Sequence, residues 1–132
     1  MPDIKGFHHV SLSVTDLDRS ARWYADVLGF EAVTTVDGEG FRRTRLRASA
    51  SGLTLTLTQH EDGRDERFDE RRTGLDHVAL VVDSDDIEEW KNRFEEHDVD
   101  HSEVKSTPAG GTLITLRDPD NIQLEVFATP SG

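Results

Sequence analysis

The stretch Gly74-Leu75-Asp76-His77-Val78-Ala79-Leu80-Val81-Val82 is typical of a β-strand with a histidine near its start. A similar stretch, His9-Val10-Ser11-Leu12-Ser13-Val14, lies near the N-terminus. Aligning His77 with His9 also matches three apolar pairs: Val78 with Val10, Leu80 with Leu12, and Val82 with Val14. The pattern therefore predicts two copies of one structural unit, each opening with a histidine-bearing strand.

Both units are predicted to contain one strand, one helix and three further strands. In the first unit, Asp16 is suited to cap the helix and Gly29 to end it. Asp37-Gly38-Glu39-Gly40 predicts a hairpin turn. In the second unit, Ser84 or Asp85 is suited to cap the helix. Strands are predicted over 7–14, 30–36, 41–48 and 53–59, and over 75–83, 100–105, 112–117 and 122–128. The predicted fold class is α+β, with two βαβββ modules.

We expect residues 1–132 to form a single domain with its own core. Its parts are a first module over about 6–60, a linker over about 61–73 and a second module over about 74–129. The linker is highly charged and has no apolar period, which favours a solvated connection, with Phe68 pinning it to the body. A lid over a pocket is the alternative interpretation.

Composition excludes several classes of partner. The chain has 27 acidic and 15 basic residues, a formal net charge of −12. Nucleic acids bind basic surfaces and anionic membranes repel acidic ones, so we expect neither as a partner. The longest apolar run has five residues and is too short to span a bilayer. There is no cysteine, and the N-terminus lacks the pattern of a secretory signal, so we expect a cytoplasmic protein.

Three polar side chains on the predicted strands suggest a metal site. The apolar strand faces must meet the helices, which leaves the polar faces, with His9, His77 and Glu125, to line a shared concavity. Two imidazoles and one carboxylate suit a divalent ion such as Fe(II), Mn(II), Zn(II) or Ni(II). A Glu–His hydrogen bond without metal is the alternative. His8 neighbours His9 but is expected on the opposite face.

Other residues of these faces are candidates for a substrate pocket. Thr56 holds in the first module the place that Glu125 holds in the second. Ser11 shares the face of His9, and Phe127 shares the face of Glu125, so all three are candidate pocket residues. His60 ends the fourth strand and is our candidate for a catalytic base.

Three arginines, Arg43, Arg45 and Arg47, share one face of the third strand. One interpretation is a clamp for a carboxylate or phosphate of the substrate, in which Arg45 is the candidate pocket residue. The other is a solvated strand edge whose arginines pair with the many surface acids.

These motifs resemble the vicinal oxygen chelate superfamily, which includes glyoxalase I, bleomycin-resistance proteins and extradiol dioxygenases. The resemblance rests on four stretches that span nearly the whole chain: His9 to Leu17, Tyr24 to Phe30, Leu75 to Leu80, and Asp118 to Glu125. It implies paired βαβββ modules that form an open mixed-sheet barrel around a metal held by His9, His77 and Glu125. It also implies a homodimer, in some relatives with sites formed between chains. Where glyoxalase I usually has a further Glu or Gln ligand, this chain has Thr56.

Two functions follow from the resemblance. The first is a metal-dependent enzyme on a small molecule with vicinal oxygens: a lyase, an isomerase, a thiol transferase or a ring-cleaving dioxygenase. The second is a bleomycin-resistance-type protein that sequesters an antibiotic or natural product without chemistry. The intact set of three ligands favours the enzyme, because sequestering relatives often lack it.

Overall fold

The computed structural model describes residues 1–130, so positions 131 and 132 of the predicted domain lie outside the described residues. The chain divides into two compact units, Met1–Glu66 and a second that begins at Arg67. Each contains one four-stranded mixed sheet and one α-helix. The α+β class and the two βαβββ modules predicted from the repeat are therefore confirmed. Within residues 1–130, no helix has the length and apolar character needed to cross a membrane.

The first unit follows the predicted order of elements. They are β1 (Val10–Ser13), α1 (Leu17–Leu28), β2 (Glu31–Gly38), β3 (Phe41–Arg47) and β4 (Thr54–His60). The sheet order is β1-β4-β3-β2, with β1 parallel to β4 and the other pairs antiparallel. The Asp16 carboxylate accepts from the Arg19 N–H at 3.1 Å, and Gly29 ends the helix with a φ of 78°. Tyr24 and Leu57 are fully buried in the core between this helix and the sheet.

The second unit repeats the plan with shorter elements. They are β5 (Val78–Val81), a 3-10 turn (Ser84–Asp86), α2 (Ile87–Glu96), β6 (Lys105–Ser106), β7 (Thr112–Arg117) and β8 (Gln123–Ala128). The sheet order is β5-β8-β7-β6, with β5 parallel to β8. Phe94 of α2 and Ile114, Leu124 and Val126 of the sheet are almost completely buried. These residues form the core of the unit.

Strand register confirms that the two units are equivalent. In the first sheet Val10 pairs with Leu55 and Ser11 with Thr56. In the second sheet Val78 pairs with Leu124 and Ala79 with Glu125. Thr56 in the first unit and Glu125 in the second therefore occupy equivalent positions in the strand register.

Several predicted boundaries were wrong. The strands predicted over 7–14 and 75–83 extend only over Val10–Ser13 and Val78–Val81. β2 continues to Gly38, which pairs with Phe41, so the hairpin turn holds only the two residues Glu39 and Gly40. The strand predicted over 100–105 is reduced to Lys105–Ser106, because the Ser102 hydroxyl accepts the Thr115 N–H at 3.0 Å in place of a backbone carbonyl. Neither Ser84 nor Asp85 caps α2, because a 3-10 turn occupies that position and Asp86 precedes the helix.

The linker is not simply solvated. The Phe68 N–H donates to the Asp120 carbonyl at 2.8 Å, and the Asn121 side-chain amide donates to the Phe68 carbonyl at 3.0 Å. Glu70 accepts two hydrogen bonds from the Arg117 guanidinium. The predicted anchoring at Phe68 is confirmed. Glu70, two residues further along the chain, provides a second attachment of the linker.

Candidate metal and substrate site

Two of the three predicted metal ligands come together in the second unit. His77 immediately precedes β5, and Glu125 lies in β8, the strand parallel to β5. The His77 Nε2 lies 3.7 Å from the Glu125 Oε1, and the Glu125 side chain is only 15% exposed. No Lys or Arg side chain pairs with Glu125 among residues 1–130. This carboxylate is therefore largely shielded from water without a permanent cationic partner.

The residue before His77 orients its ring. The Asp76 Oδ1 lies 2.6 Å from the His77 Nδ1. This contact requires a proton on Nδ1, which leaves Nε2 as the nitrogen directed toward Glu125. A carboxylate on the far ring nitrogen is the usual support for a metal-binding histidine.

The pair fits a divalent cation. In neutral His77, the Nε2 lone pair faces a carboxylate oxygen at 3.7 Å, a distance too long for a hydrogen bond. The Glu–His hydrogen bond considered as the alternative is therefore not formed. Together, His77 and Glu125 could hold a divalent cation through one nitrogen and one oxygen. Imidazole nitrogen and carboxylate oxygen suit the divalent metals predicted from the sequence.

The first unit places His9 in the equivalent position, immediately before β1. His9 is exposed, and its Nδ1 lies 2.7 Å from the His8 Nδ1. The expectation that His8 faces away from His9 was wrong, because both residues lie outside the strand, where strict alternation does not hold. His8 therefore has the same relation to His9 that Asp76 has to His77.

The full ligand set of three remains a prediction. Among the side chains of residues 1–130, no group of three His, Asp or Glu is arranged to hold a metal ion. The structure brings His77 and Glu125 together, whereas His9 belongs to the other unit.

Several predicted pocket residues lie on the polar face of the first sheet. Thr56 pairs with Ser11 on one side and with Arg45 on the other. The Thr56 hydroxyl is buried and has no hydrogen-bond partner within residues 1–130. In contrast, the Thr58 hydroxyl accepts from the Arg43 Nε at 2.8 Å and lies 2.9 Å from the Ser11 hydroxyl. These residues form a connected polar surface with one unsatisfied group.

The two aromatic-ring candidates lie in different units. His60 is exposed at the end of β4, and its ring centroid lies 6.4 Å from that of Phe41. Phe127 is half-buried in β8, two residues beyond Glu125 and on the same strand face. The catalytic role of His60 and the pocket role of Phe127 stay predictions.

Family comparison agrees with this architecture. The model of the Glyoxalase/Bleomycin resistance protein/Dioxygenase superfamily matches residues 6–126, nearly the whole chain. The chain belongs to this superfamily. Among solved structures, a glyoxylase/bleomycin resistance protein/dioxygenase domain from Frankia sp. EAN1pec is 31% identical with a TM-score of 0.90. That match covers 98% of this chain and 96% of the Frankia chain.

Two further similar proteins have named functions. The metallothiol transferase FosB of Staphylococcus haemolyticus is 27% identical over 96 residues. That alignment covers 73% of this chain but only 63% of FosB, so this chain spans less than two thirds of that relative. The fosfomycin resistance protein FosX of Listeria monocytogenes, in a structure with Mn(II) and sulfate, is 21% identical with a TM-score of 0.72. That match covers 97% of this chain and 95% of the FosX chain and shows a shared fold.

Sequence analysis missed two residues that shape these surfaces. Asp76 was not a candidate, because it lies before β5, where strand alternation assigns no face. Arg43 was noted only as part of an arginine row, although its position opposite Thr58 follows from the hairpin register.

Proposed function

We propose that this chain is a metal-dependent enzyme that acts on a small molecule with adjacent oxygen atoms. His9, His77 and Glu125 are the proposed protein ligands of one divalent ion. The observation that carries the proposal is the shielded Glu125 carboxylate beside His77, with Asp76 on the far nitrogen of the imidazole. When bound there, such an ion would supply Lewis-acid polarisation of the substrate oxygens.

The side chains have separate tasks in this proposal. Asp76 fixes the ring of His77 so that Nε2 is presented to the site. Glu125 supplies a negative charge, which favours the binding of a cation over that of a neutral molecule. Thr56 stands where the repeat would place a fourth ligand, and a hydroxyl is a weak one, so more positions stay open to the substrate.

The relatives support a divalent metal and are compatible with several reaction classes. FosX was crystallised with Mn(II), and FosB is named a metallothiol transferase. We propose Mn(II) or Fe(II) as the first ions to test, because two nitrogen and one oxygen ligands suit both. The proposed reaction class is a lyase, an isomerase, a thiol transferase or a ring-cleaving dioxygenase.

We further propose that the protein is a cytoplasmic homodimer. Large apolar side chains next to the ligand strands are exposed in the single chain: Phe7 is 96% exposed and Val81 is 80% exposed. Leu75, the repeat equivalent of Phe7, is also exposed. Exposed apolar groups at equivalent places in both units support a surface that a second copy covers.

A substrate screen tests the enzymatic proposal. Metal-loaded protein is incubated with an epoxide and a thiol, with an α-ketoaldehyde and a thiol, and with a catechol under oxygen. We expect one of these to be converted, with loss of activity after chelation and in Glu125→Gln. If a small molecule is instead retained unchanged, with an affinity indifferent to chelator, the sequestering function replaces the enzymatic one.

A further inference from the structure

The arginine face of the first sheet, formed by Ser11, Arg43, Arg45, Thr56 and Thr58, combines positive charge with hydroxyl groups. Arg43 and Arg45 lie two residues apart on β3 and point to the same side of the sheet. Their side chains are thus held as neighbours, although like charges on one strand face repel each other. Such an arrangement calls for a compensating anion.

The described part of the chain does not supply that anion. Within residues 1–130, neither Arg43 nor Arg45 pairs with a carboxylate. Their neighbours on the adjacent strands are all neutral: Val36 and Thr58 beside Arg43, and Thr34 and Thr56 beside Arg45. In a chain with 27 acidic residues, this absence distinguishes the face from an ordinary solvated strand edge.

The neighbouring arginines show the contrast. Arg42 lies on the opposite face of the same strand and forms an ion pair with Asp37 at 2.9 Å. Arg47 lies on the arginine-bearing face, but its strand neighbour is Glu31. Only the middle of the row, Arg43 and Arg45, has no acidic neighbour on either adjacent strand.

Arg43 is also held in place by contacts that leave its outer nitrogens free. Its Nε donates to the buried Thr58 hydroxyl at 2.8 Å, and its guanidinium lies 4.5 Å from the centre of the Phe41 ring. No partner contacts its two terminal nitrogens among residues 1–130. A fixed guanidinium with free terminal donors is suited to bind two oxygens of one anion.

An independent observation comes from Thr56, which is only 6% exposed and whose hydroxyl has no partner in the described part of the chain. Thr56 pairs directly with Arg45 in the strand register. A buried hydroxyl without a partner is unfavourable, and most such groups in proteins are satisfied by a ligand, water or neighbouring residue. An oxyanion beside Arg45 would accept the missing hydrogen bond.

We propose that Arg43 and Arg45, with Thr56, bind a small oxyanion, either a carboxylate or a phosphoryl group. The assignment of this anion to a substrate rests on the proposed function, whereas the anion site itself requires no metal. The substrate of the enzyme would therefore carry an acidic group separate from its metal-binding oxygens.

The test is a titration of chelator-treated protein with inorganic phosphate and, separately, with acetate, at ionic strength matched with potassium chloride. The readout is the NMR resonances of the arginine Nε–H groups. We expect saturable shifts at Arg43 and Arg45 that chloride does not produce, and the tighter of the two anions identifies the preferred group. Saturable binding should be weakened about tenfold or more in Arg45→Gln, the effect of losing a charge-assisted hydrogen bond.

Arg42→Gln is the matched control, because it removes the same charge from the opposite face of the same strand. We expect it to change the affinity for the anion by no more than about twofold. Equal losses in Arg42→Gln and Arg45→Gln, or shifts no larger than those with chloride, would overturn the proposal. Metal binding without anion binding refutes this inference alone, and anion binding without metal binding refutes only the proposed function.

Discussion

At the scale of single residues, Thr56 and Thr58 form a natural comparison. Both lie on the same face of β4 and are buried. Among the described residues only the Thr58 hydroxyl has hydrogen-bond partners, which are Arg43 and Ser11. Valine has nearly the same shape as threonine and is favourable in strands. Replacing each threonine with valine should therefore measure what its hydroxyl contributes to the free energy of unfolding.

We expect Thr58→Val to lower the free energy of unfolding by about 1–2 kcal/mol, because the Arg43 Nε loses its acceptor. Thr56→Val should lie within about 0.5 kcal/mol of the natural chain or above it, since it removes only an unsatisfied hydroxyl. Urea denaturation of both variants in anion-free buffer measures the difference. A larger loss in Thr56→Val than in Thr58→Val would contradict the hydrogen-bond assignment.

Asp76 tests the orientation of His77. Asp76→Asn should lower the affinity for a divalent metal about 10–100-fold, because the imidazole loses the carboxylate that fixes its tautomer. Asp83→Asn is the control, since Asp83 is also exposed in the second unit but its side chain makes no capping bond. Calorimetric titration with Mn(II) measures both. Equal affinity in the natural chain and Asp76→Asn would remove Asp76 from the site.

The sequence could predict the side-chain positions of residues within the strands better than those of residues just before the strands. The equivalence of Thr56 and Glu125 followed from the repeat and is confirmed by register. The contacts of His8 and Asp76 could not be predicted, because both precede their strands and follow glycines with a φ of 146°. Strand alternation assigns faces only where a residue is in extended, paired backbone.

At the scale of elements, Glu70 and Arg117 join the linker to β7. The two hydrogen bonds from Arg117 are the main cause that lowers the pKa of Glu70 from 4.5 to about 2. A carboxyl group with a lowered pKa in the folded state stabilises the protein above its ordinary pKa. That contribution is lost as the pH falls from 4.5 through about 2.

We therefore expect Glu70→Gln to be less stable than the natural chain at about pH 7, with a difference that shrinks toward about pH 3. Denaturation of both proteins across this range gives the comparison. Asp62→Asn, an exposed change in the same linker, should show no such trend. A stability difference that stays constant down to about pH 2.5 would mean that the carboxylate is not what Arg117 recognises.

The elements show why patterns succeed or fail. Sequence patterns located all eight strands of residues 1–130. Alternation is supported by burial of one face in β7 and β8, whereas β2 and β6 are exposed along their whole length. The predicted length of β6 was wrong, because the Ser102 hydroxyl takes the place of a backbone acceptor. Hydrophobic periodicity does not reveal such a contact. The anchoring of the linker through Glu70 also went unseen, because a charged segment without apolar period gives no signal for an ion pair at position 117.

At the scale of the whole molecule, the homodimer proposal predicts complementation. If the ligands come from two copies, a His9→Ala chain and a His77→Ala chain can rebuild one intact site in each mixed dimer. Random association would leave about a quarter of the sites intact. Co-expression of the two variants, native mass spectrometry and metal analysis test this. Mixed dimers without any metal would place all three ligands in one chain, and a monomeric protein would refute the dimer.

The proposed metal site requires one cation shared by His9, His77 and Glu125. The most direct measurement is the Mn(II) content of protein purified without an affinity tag, loaded with Mn(II) and desalted. We predict about one ion per chain, falling to about a tenth in His77→Ala and in Glu125→Gln, while the exposed His97→Ala keeps the full amount. Equal Mn(II) in His77→Ala and the natural chain would contradict the account.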